Sequence, residues 1–426
     1  MKDLKGKKLL VLGGNALSCD IVTTARKLGI YTIVTDWNDS EKSPAKKIAD
    51  EAWNISLTDI DTLAKKINEE HIDGVTTNYT DSYLVPYSRI CKAAGLPALA
   101  DEFQIESISN KDKSKEVFKN HGIAIPQLLG IDCEDDIDRV GDAIDYPVII
   151  KPVDQSGQRG IFVCTDKESL RKYYAESLKY SASGKVLVEE YLQGDYVVMF
   201  FTIQNGHVTL ASMADKPVTE AYASYQVKLP MAYILPSKYV NLCRETVLPK
   251  VQAFVDTLKI KQGVIGIEGI VKDNVIKTFE MQFRLGGMRH HEFVAQENGM
   301  DLMEMIIRYA ITGNFDGWDA SECDNADFKH TYILLNVLVK TGKISKIEGL
   351  DKIKALPEFT KLTIMSKEGD EIKLAGTVNQ IFCKISLKVA DKARLNNLIQ
   401  YIHDTLKVYN EAGENMILNP WEGRVL

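Results

Sequence analysis

The chain has 426 residues, 45% of them hydrophobic and 26% charged, with a formal net charge of −7. That is length enough for two or three domains with large buried cores, in an ordinary globular composition. No basic run marks a nucleic-acid surface, no apolar run reaches the ~20 residues of a membrane span, and the LLVL near the N-terminus is too short for a signal peptide, so a cytoplasmic protein without nucleic-acid or membrane partners is expected.

The first hundred residues alternate between strand and helix. KLLVLGG reads as a buried strand, residues 20–28 as a helix stopped by Gly29, YTIVTD as a second strand, GVTTN as a third, and residues 83–94 as a helix stopped by Gly95 and Pro97. That alternation implies a parallel sheet with helices on its faces. Gly13, Gly14 and Asp36 form part of a dinucleotide fingerprint. The third glycine is missing, since Ser18 and Cys19 occupy that region, and a tight strand-to-helix turn is the simpler reading.

The middle of the chain changes character. SNKDKSKEVFKNHGIAIP reads as a helix ended by Gly122. YPVIIKPVDQSGQRGIFVC, VLVEEYLQGDYVVMFFTIQNGHV and GVIGIEGIVKDNVIKTFEMQFRLGG each read as a strand pair joined by Gly, Asp or Asn turns. Val247, Val251, Phe254, Val255 and Leu258 make an apolar helical stripe between the last two. The final hundred residues combine the strands TYILLNVLV and IFCKISLKV with an amphipathic helix over 395–406.

Three segments carry chemistry. In KPVDQSGQRGI, Lys151 ends an apolar strand and Gly157 and Gly160 let backbone N–H groups approach phosphate oxygens. VLVEEYL offers backbone groups and a carboxylate at a strand exit. In the last hairpin, a two-residue turn at Asp273-Asn274 puts Glu268 opposite Phe279. A three-residue turn, Asp273 to Val275, puts Glu268 opposite Glu280, with Gln282 and Arg284 along the same face. Two facing carboxylates call for a cation between them, and Mg²⁺ with phosphate oxygens is the natural one. The seven cysteines are scattered with no C-x-x-C pair, which argues against zinc and against a disulfide framework.

This order of lysine helix, strand-Lys-Pro-glycine loop, E-E-Y-L and carboxylate hairpin resembles the ATP-grasp superfamily, which includes D-alanine–D-alanine ligase, biotin carboxylase, carbamoyl-phosphate synthetase and the L-amino-acid ligases. The resemblance covers nearly the whole chain and implies an α/β and α+β fold. Its parts are a Rossmann-like domain over 1–105, an ATP-grasp domain of two α+β subdomains over 106–325, and a small mixed α+β C-terminal domain over 326–426. It implies ATP with Mg²⁺ or Mn²⁺, a small-molecule carboxylate joined to an amine substrate of the amino-acid type, an acyl-phosphate intermediate, and, as is common among such relatives, a homodimer.

Residue by residue, the resemblance implies phosphate contacts from Lys113, with Lys111 as the competing choice, and from Lys151. Gln155, Ser156, Gly157 and Gly160 belong to its mobile glycine loop. Glu189, Glu190, Tyr191 and Leu192 match the adenine segment, Glu268 and Glu280 the metal carboxylates, and Arg284 the phosphoryl arginine. Two positions depart from the pattern: Gln282 replaces the usual asparagine as third metal ligand, and Tyr196 replaces the acidic ribose ligand, so Asp195 is assigned to the ribose. After the hairpin, Gly286-Gly287 offers N–H groups to a substrate carboxylate, Arg289 a second carboxylate site, and His290 or His291 a group to orient or deprotonate the amine. Lys216 and Lys228 sit where the family often places a further cation. The rival readings are a carboxylase working through carboxyphosphate, an NAD-dependent oxidoreductase, and a non-catalytic ATP-binding regulator.

Overall fold

The computed structural model describes residues 1–77, 79–154, 159–220, 228–315, 317–390 and 392–421. Strands Lys8–Leu12, Tyr31–Thr35, Glu51–Trp53 and Gly74–Thr76 form a parallel sheet in the order third, second, first, fourth. Leu9, Leu10, Val11 and Leu12 are all fully buried, as expected of a strand covered by helices on both faces. The edge strand Glu51–Trp53 was not anticipated; it is three residues long, and only Trp53 is buried. Asp36 is 5% exposed, and its carboxylate accepts from the Gly14 N–H at 2.8 Å and the Ser43 hydroxyl at 2.7 Å, with the Lys46 ammonium 3.2 Å away. A carboxylate filled in this way is closed to a ribose, and the glycine pair serves the turn.

A second, three-stranded sheet has Val148–Pro152 between Phe162–Cys164 and Val186–Glu190, all antiparallel. Its helix Lys167–Leu178 buries Leu170 and Tyr174 against Val148, Ile150 and Val188 in a core of its own. The segment VLVEEYLQGDYVVMFFTIQNGHV is therefore not one hairpin. Its first strand belongs to this small sheet and its second, Asp195–Gln204, to the large one.

The large sheet runs Val275–Gln282, Gln262–Lys272, Asp195–Gln204, His207–Asp215, Ala232–Leu235, Thr331–Val339, Ile381–Val389 and Phe359–Ile364, with Ile417–Leu418 added beside Thr331–Val339. It crosses the expected boundary at 325/326 without a break. Val197, Met199, Phe201 and Ile203 pack toward the helix Leu248–Leu258, while Val198 and Phe200 pack on the opposite face with Phe293 and Ile306. This period-two division explains why the strand reads as one continuous apolar run. Each such side chain contributes about 1.5–3 kcal/mol by leaving water. No helix among the described residues is long and apolar enough to cross a membrane.

Candidate functional site

The hairpin turn Asp273-Asn274 has both residues at positive φ, 50° and 61°, and Lys272 pairs with Val275 across it. That is the two-residue turn favoured by the strand twist. Alone it would align Glu268 with Phe279. Instead the register slips by one: Gly269 pairs with Thr278 and Glu268 with Glu280. Phe279 is the extra residue of a bulge. Regular alternation would send neighbours to opposite faces, yet Phe279 and Glu280 line one cleft together, with Glu268 and Gln282. Thr278 anchors the bulged strand by donating its N–H and hydroxyl to the Ala124 carbonyl, at 2.7 and 3.0 Å.

Burial, and then the facing Glu268, push the Glu280 carboxyl above its ordinary range. Lys216 forms a salt bridge to Glu268. Burial opposes the Lys216 charge, but Glu268, with Tyr233 and Glu280 beside it, raises the ammonium above the usual lysine value. Two carboxylates and an amide oxygen around one cleft suit a hard divalent cation. No cluster of three or more His, Cys, Asp or Glu side chains able to hold a metal occurs among the described residues. Phosphate oxygens and water would complete the shell.

The opposite wall of this cleft, about 310 Å³, comes from Lys111, Lys151 and Tyr191. Helix Lys111–Asn120 begins at Asn110, whose side chain accepts from the Asp112 and Lys113 N–H groups. That cap sets the helix phase. Lys111 points into the cleft, whereas Lys113, two residues on, pairs with Glu106 on the half-exposed outer face. Of the two lysines weighed from the sequence, Lys111 is the one that lines the cleft, because two residues turn a helix by about 200°. Lys115, four residues on, shares the inward face.

Lys115 and Lys151 both pair with Glu189, the latter at 2.7 Å, and Glu189 is 1% exposed. Burial alone would raise this carboxyl, yet Lys151 and Lys115 hold it below the ordinary value. Burial, then Lys151, brings the Lys115 ammonium down to about 8. A small apolar slot of about 80 Å³ opens beside this triad, lined by Ile149, Tyr191, Leu192, Tyr196, Ile270 and Phe279. Glu190 also borders the slot and ties the two sheets together, accepting from the Gln127 N–H at 2.9 Å and pairing with Lys277. Gly160 has φ +73°, and a Cβ there would meet Pro152 and Tyr180 at 2.8 Å, so only glycine fits. Gln155, Ser156 and Gly157 lie outside the described residues. Asp195 does not reach the slot; it pairs with Lys238 at 2.7 Å and accepts from the Tyr239 hydroxyl.

On its other side Glu268 borders a larger cavity of about 900 Å³, also lined by Gln282, Arg284, Gly286 and Gly287. Arg284 grips Asp81 through two hydrogen bonds of 2.7 Å. Arg289 and His291 are placed differently from expectation. Arg289 is buried, with its backbone at φ +58° before helix His290–Asn298, and pairs with Asp20 and Glu292. Its charge is committed to joining that helix to the N-terminal part of the chain. His291 is buried behind Tyr79, with Nε2 3.3 Å from the tyrosine hydroxyl, and burial brings its pKa down to about 4. His290 stacks on Phe200 at 3.3 Å and is held neutral by burial. The cavity takes Asn336 and Lys384 instead, from the C-terminal strands. Phe279, Lys115, Asn336 and Lys384 had not been singled out from the sequence. Only Lys115 carried a usable signal there, its four-residue spacing from Lys111.

Residues 144–292 match the ATP-grasp domain family. The 2-oxoglutarate carboxylase small subunit of Hydrogenobacter thermophilus is 30% identical over 213 residues, 46% of this chain and 44% of that protein. A formate-dependent phosphoribosylglycinamide formyltransferase of Prochlorococcus marinus is 28% identical over 202 residues, 46% of this chain and 51% of that protein. The chain thus spans about half the length of these curated relatives. The solved L-amino acid ligase from Bacillus licheniformis superposes with a TM-score of 0.79 at 19% identity, covering 96% of this chain and 99% of that one. Phosphoribosylglycinamide synthetase from Anaerococcus prevotii gives 0.73 at 21%, covering 96% and 100%. At these identities the likeness is one of fold. The family match falls on the strands that supply both walls of the cleft, and the chain accordingly carries an ATP-grasp domain.

Proposed function

We propose that the chain is an ATP-dependent ligase that activates a small carboxylic acid as an acyl phosphate and joins it to an amine. The observation that carries this reading is the Glu268–Glu280 pair in a cleft with inward lysines, where Glu268, Gln282 and Arg284 also border a second, larger cavity. The apolar slot would take adenine, with the Tyr191–Leu192 backbone along its edge, and Lys111 and Lys151 would meet the phosphates. Glu268, Glu280 and Gln282 would hold Mg²⁺, which when bound neutralises phosphate oxygens.

A substrate carboxylate oxygen attacks the γ-phosphorus and the bond to ADP breaks. The amine nitrogen then attacks the acyl carbon, the tetrahedral intermediate expels phosphate, and the amine proton passes to phosphate or solvent. Arg284, held in orientation by Asp81, faces both cavities and would stabilise charge on the transferred group. No protein nucleophile is required; the residues position and neutralise. The test is a phosphate-release screen with ATP and Mg²⁺ against carboxylates and amines, singly and in pairs. Release that requires one acid together with one amine supports the ligase, and none with any pair counts against it. The 2-oxoglutarate carboxylase relative favours one second reading, bicarbonate as the acid, which strict bicarbonate dependence would mark.

A further inference from the structure

Asn336 and Lys384 are cross-strand partners on Thr331–Val339 and Ile381–Val389, and both line the 900 Å³ cavity. Asn336 is 1% exposed. Its Nδ2 donates to the Pro230 carbonyl at 2.9 Å, and because that carbonyl can only accept, the amide orientation is fixed. Its Oδ1 has no partner among the described residues. The Lys384 ammonium donates to the Gly287 carbonyl at 3.2 Å and has no carboxylate partner among the described residues. Burial, then Arg289, hold it below the ordinary lysine value, the condition of a cation lacking its anion.

We infer that Lys384 and Asn336 form the recognition site for the amine substrate, an amino acid with an apolar side chain, whose carboxylate pairs with Lys384 and whose amine donates to Asn336 Oδ1. This rests on the ligase reading for the role of the amine. Charge selects the class. Arg284, held by Asp81, serves the transferred group in the ligase reading, and Lys373 lies on the exposed rim 3.6 Å from Glu371, which leaves Lys384, among the described residues of this cavity, for a monoanion. Asp370 and Glu371 on the same rim disfavour a phosphate dianion further. The apolar side chain follows from Met365, Leu374 and Val378, which are 54%, 53% and 41% exposed and border this cavity. Pro230 lines both cavities, so the Asn336 end, and with it the amine, faces the nucleotide side.

The test uses the full chain and calorimetric titration with L-leucine, L-leucinamide and ribose 5-phosphate, with a non-hydrolysable ATP analogue titrated separately. L-leucine should bind the wild type. L-leucinamide, and L-leucine on Lys384→Met, should bind about tenfold or more weakly, the worth of one charge-assisted bond. Lys384→Arg should restore leucine binding, and all variants should bind the ATP analogue, which shows that they fold. Equal binding of leucine and leucinamide, unchanged leucine affinity in Lys384→Met, no leucine binding to the wild type, or binding of ribose 5-phosphate in place of leucine would each overturn the assignment. Leucine binding through Lys384 without phosphate release from any acid would leave this site standing and remove the ligase reading.

Discussion

Glu268 and Glu280 face each other across neighbouring strands because a two-residue turn and a bulge at Phe279 act together. The bulge shifts the register that the turn alone would set, and it lets an aromatic ring and a carboxylate, adjacent in sequence, line the same cleft.

Replacing Glu280 by glutamine should therefore separate the two demands on this pair. Shape is kept and the like-charge contact is lost. Metal-dependent phosphate release should fall by about 100-fold or more, the scale seen when one transition-state charge contact is removed. Thermal melts in EDTA should show the apo variant at least as stable as the wild type, because the repulsion is relieved. Wild-type turnover at limiting Mg²⁺ would remove the hairpin from the metal site.

Lys111→Met and Lys113→Met form a matched pair on one helix. The first should weaken binding of an ATP analogue by about tenfold, since an ammonium lining the cleft is lost. The second should leave binding within error, because an exposed pair such as Lys113–Glu106 contributes at most about 1 kcal/mol to stability. Calorimetric titration reads both, and the reverse order would restore the position expected from the sequence.

Glu189→Gln strands two ammonium groups in a buried site and should cost about 3–5 kcal/mol in urea melts. The pH dependence gives a second check. The folded carboxyl lies below its ordinary value of 4.5, so its stabilisation is present above 4.5 and is lost as pH falls through the depressed value. The variant should lack that part of the acid transition.

His403 lies buried in the helix Leu395–Thr405 with neither ring nitrogen partnered among the described residues, and burial lowers its pKa from 6.5 to about 4. The unfolded chain takes up this proton below 6.5 while the folded chain resists until about 4, so stability falls as pH drops across that window. The loss approaches about 3 kcal/mol by linkage. Urea melts at pH 7 and pH 4.5 should differ less for His403→Leu than for the wild type.

Much of this arrangement was legible in the sequence. The strand KLLVL, the helix closed by Gly95, and the hairpin around Asp273-Asn274 follow from apolar runs and from residues that tolerate left-handed backbone. The Glu268 register stayed open because a bulge is set by tertiary contacts, here Thr278 on the Ala124 carbonyl. Choosing Lys111 over Lys113 needed the phase imposed by the Asn110 cap. Arg289 was expected at the substrate cavity and Lys384 was not, for a similar reason. Which cation sees a cavity depends on whether an acid from a distant segment, here Asp20, has already claimed it, and spacing along one segment carries no record of that.

The unbroken large sheet has a mechanical consequence. The carboxylate hairpin and the Asn336–Lys384 pair belong to one hydrogen-bonded lattice, so the distance between them is fixed by strand spacing. The small sheet that carries Lys151 and Glu189 has a core of its own, so its attachment to that lattice runs through discrete polar links such as Glu190–Lys277. One wall of the cleft is thus part of the lattice itself, and the other is fastened to it at points.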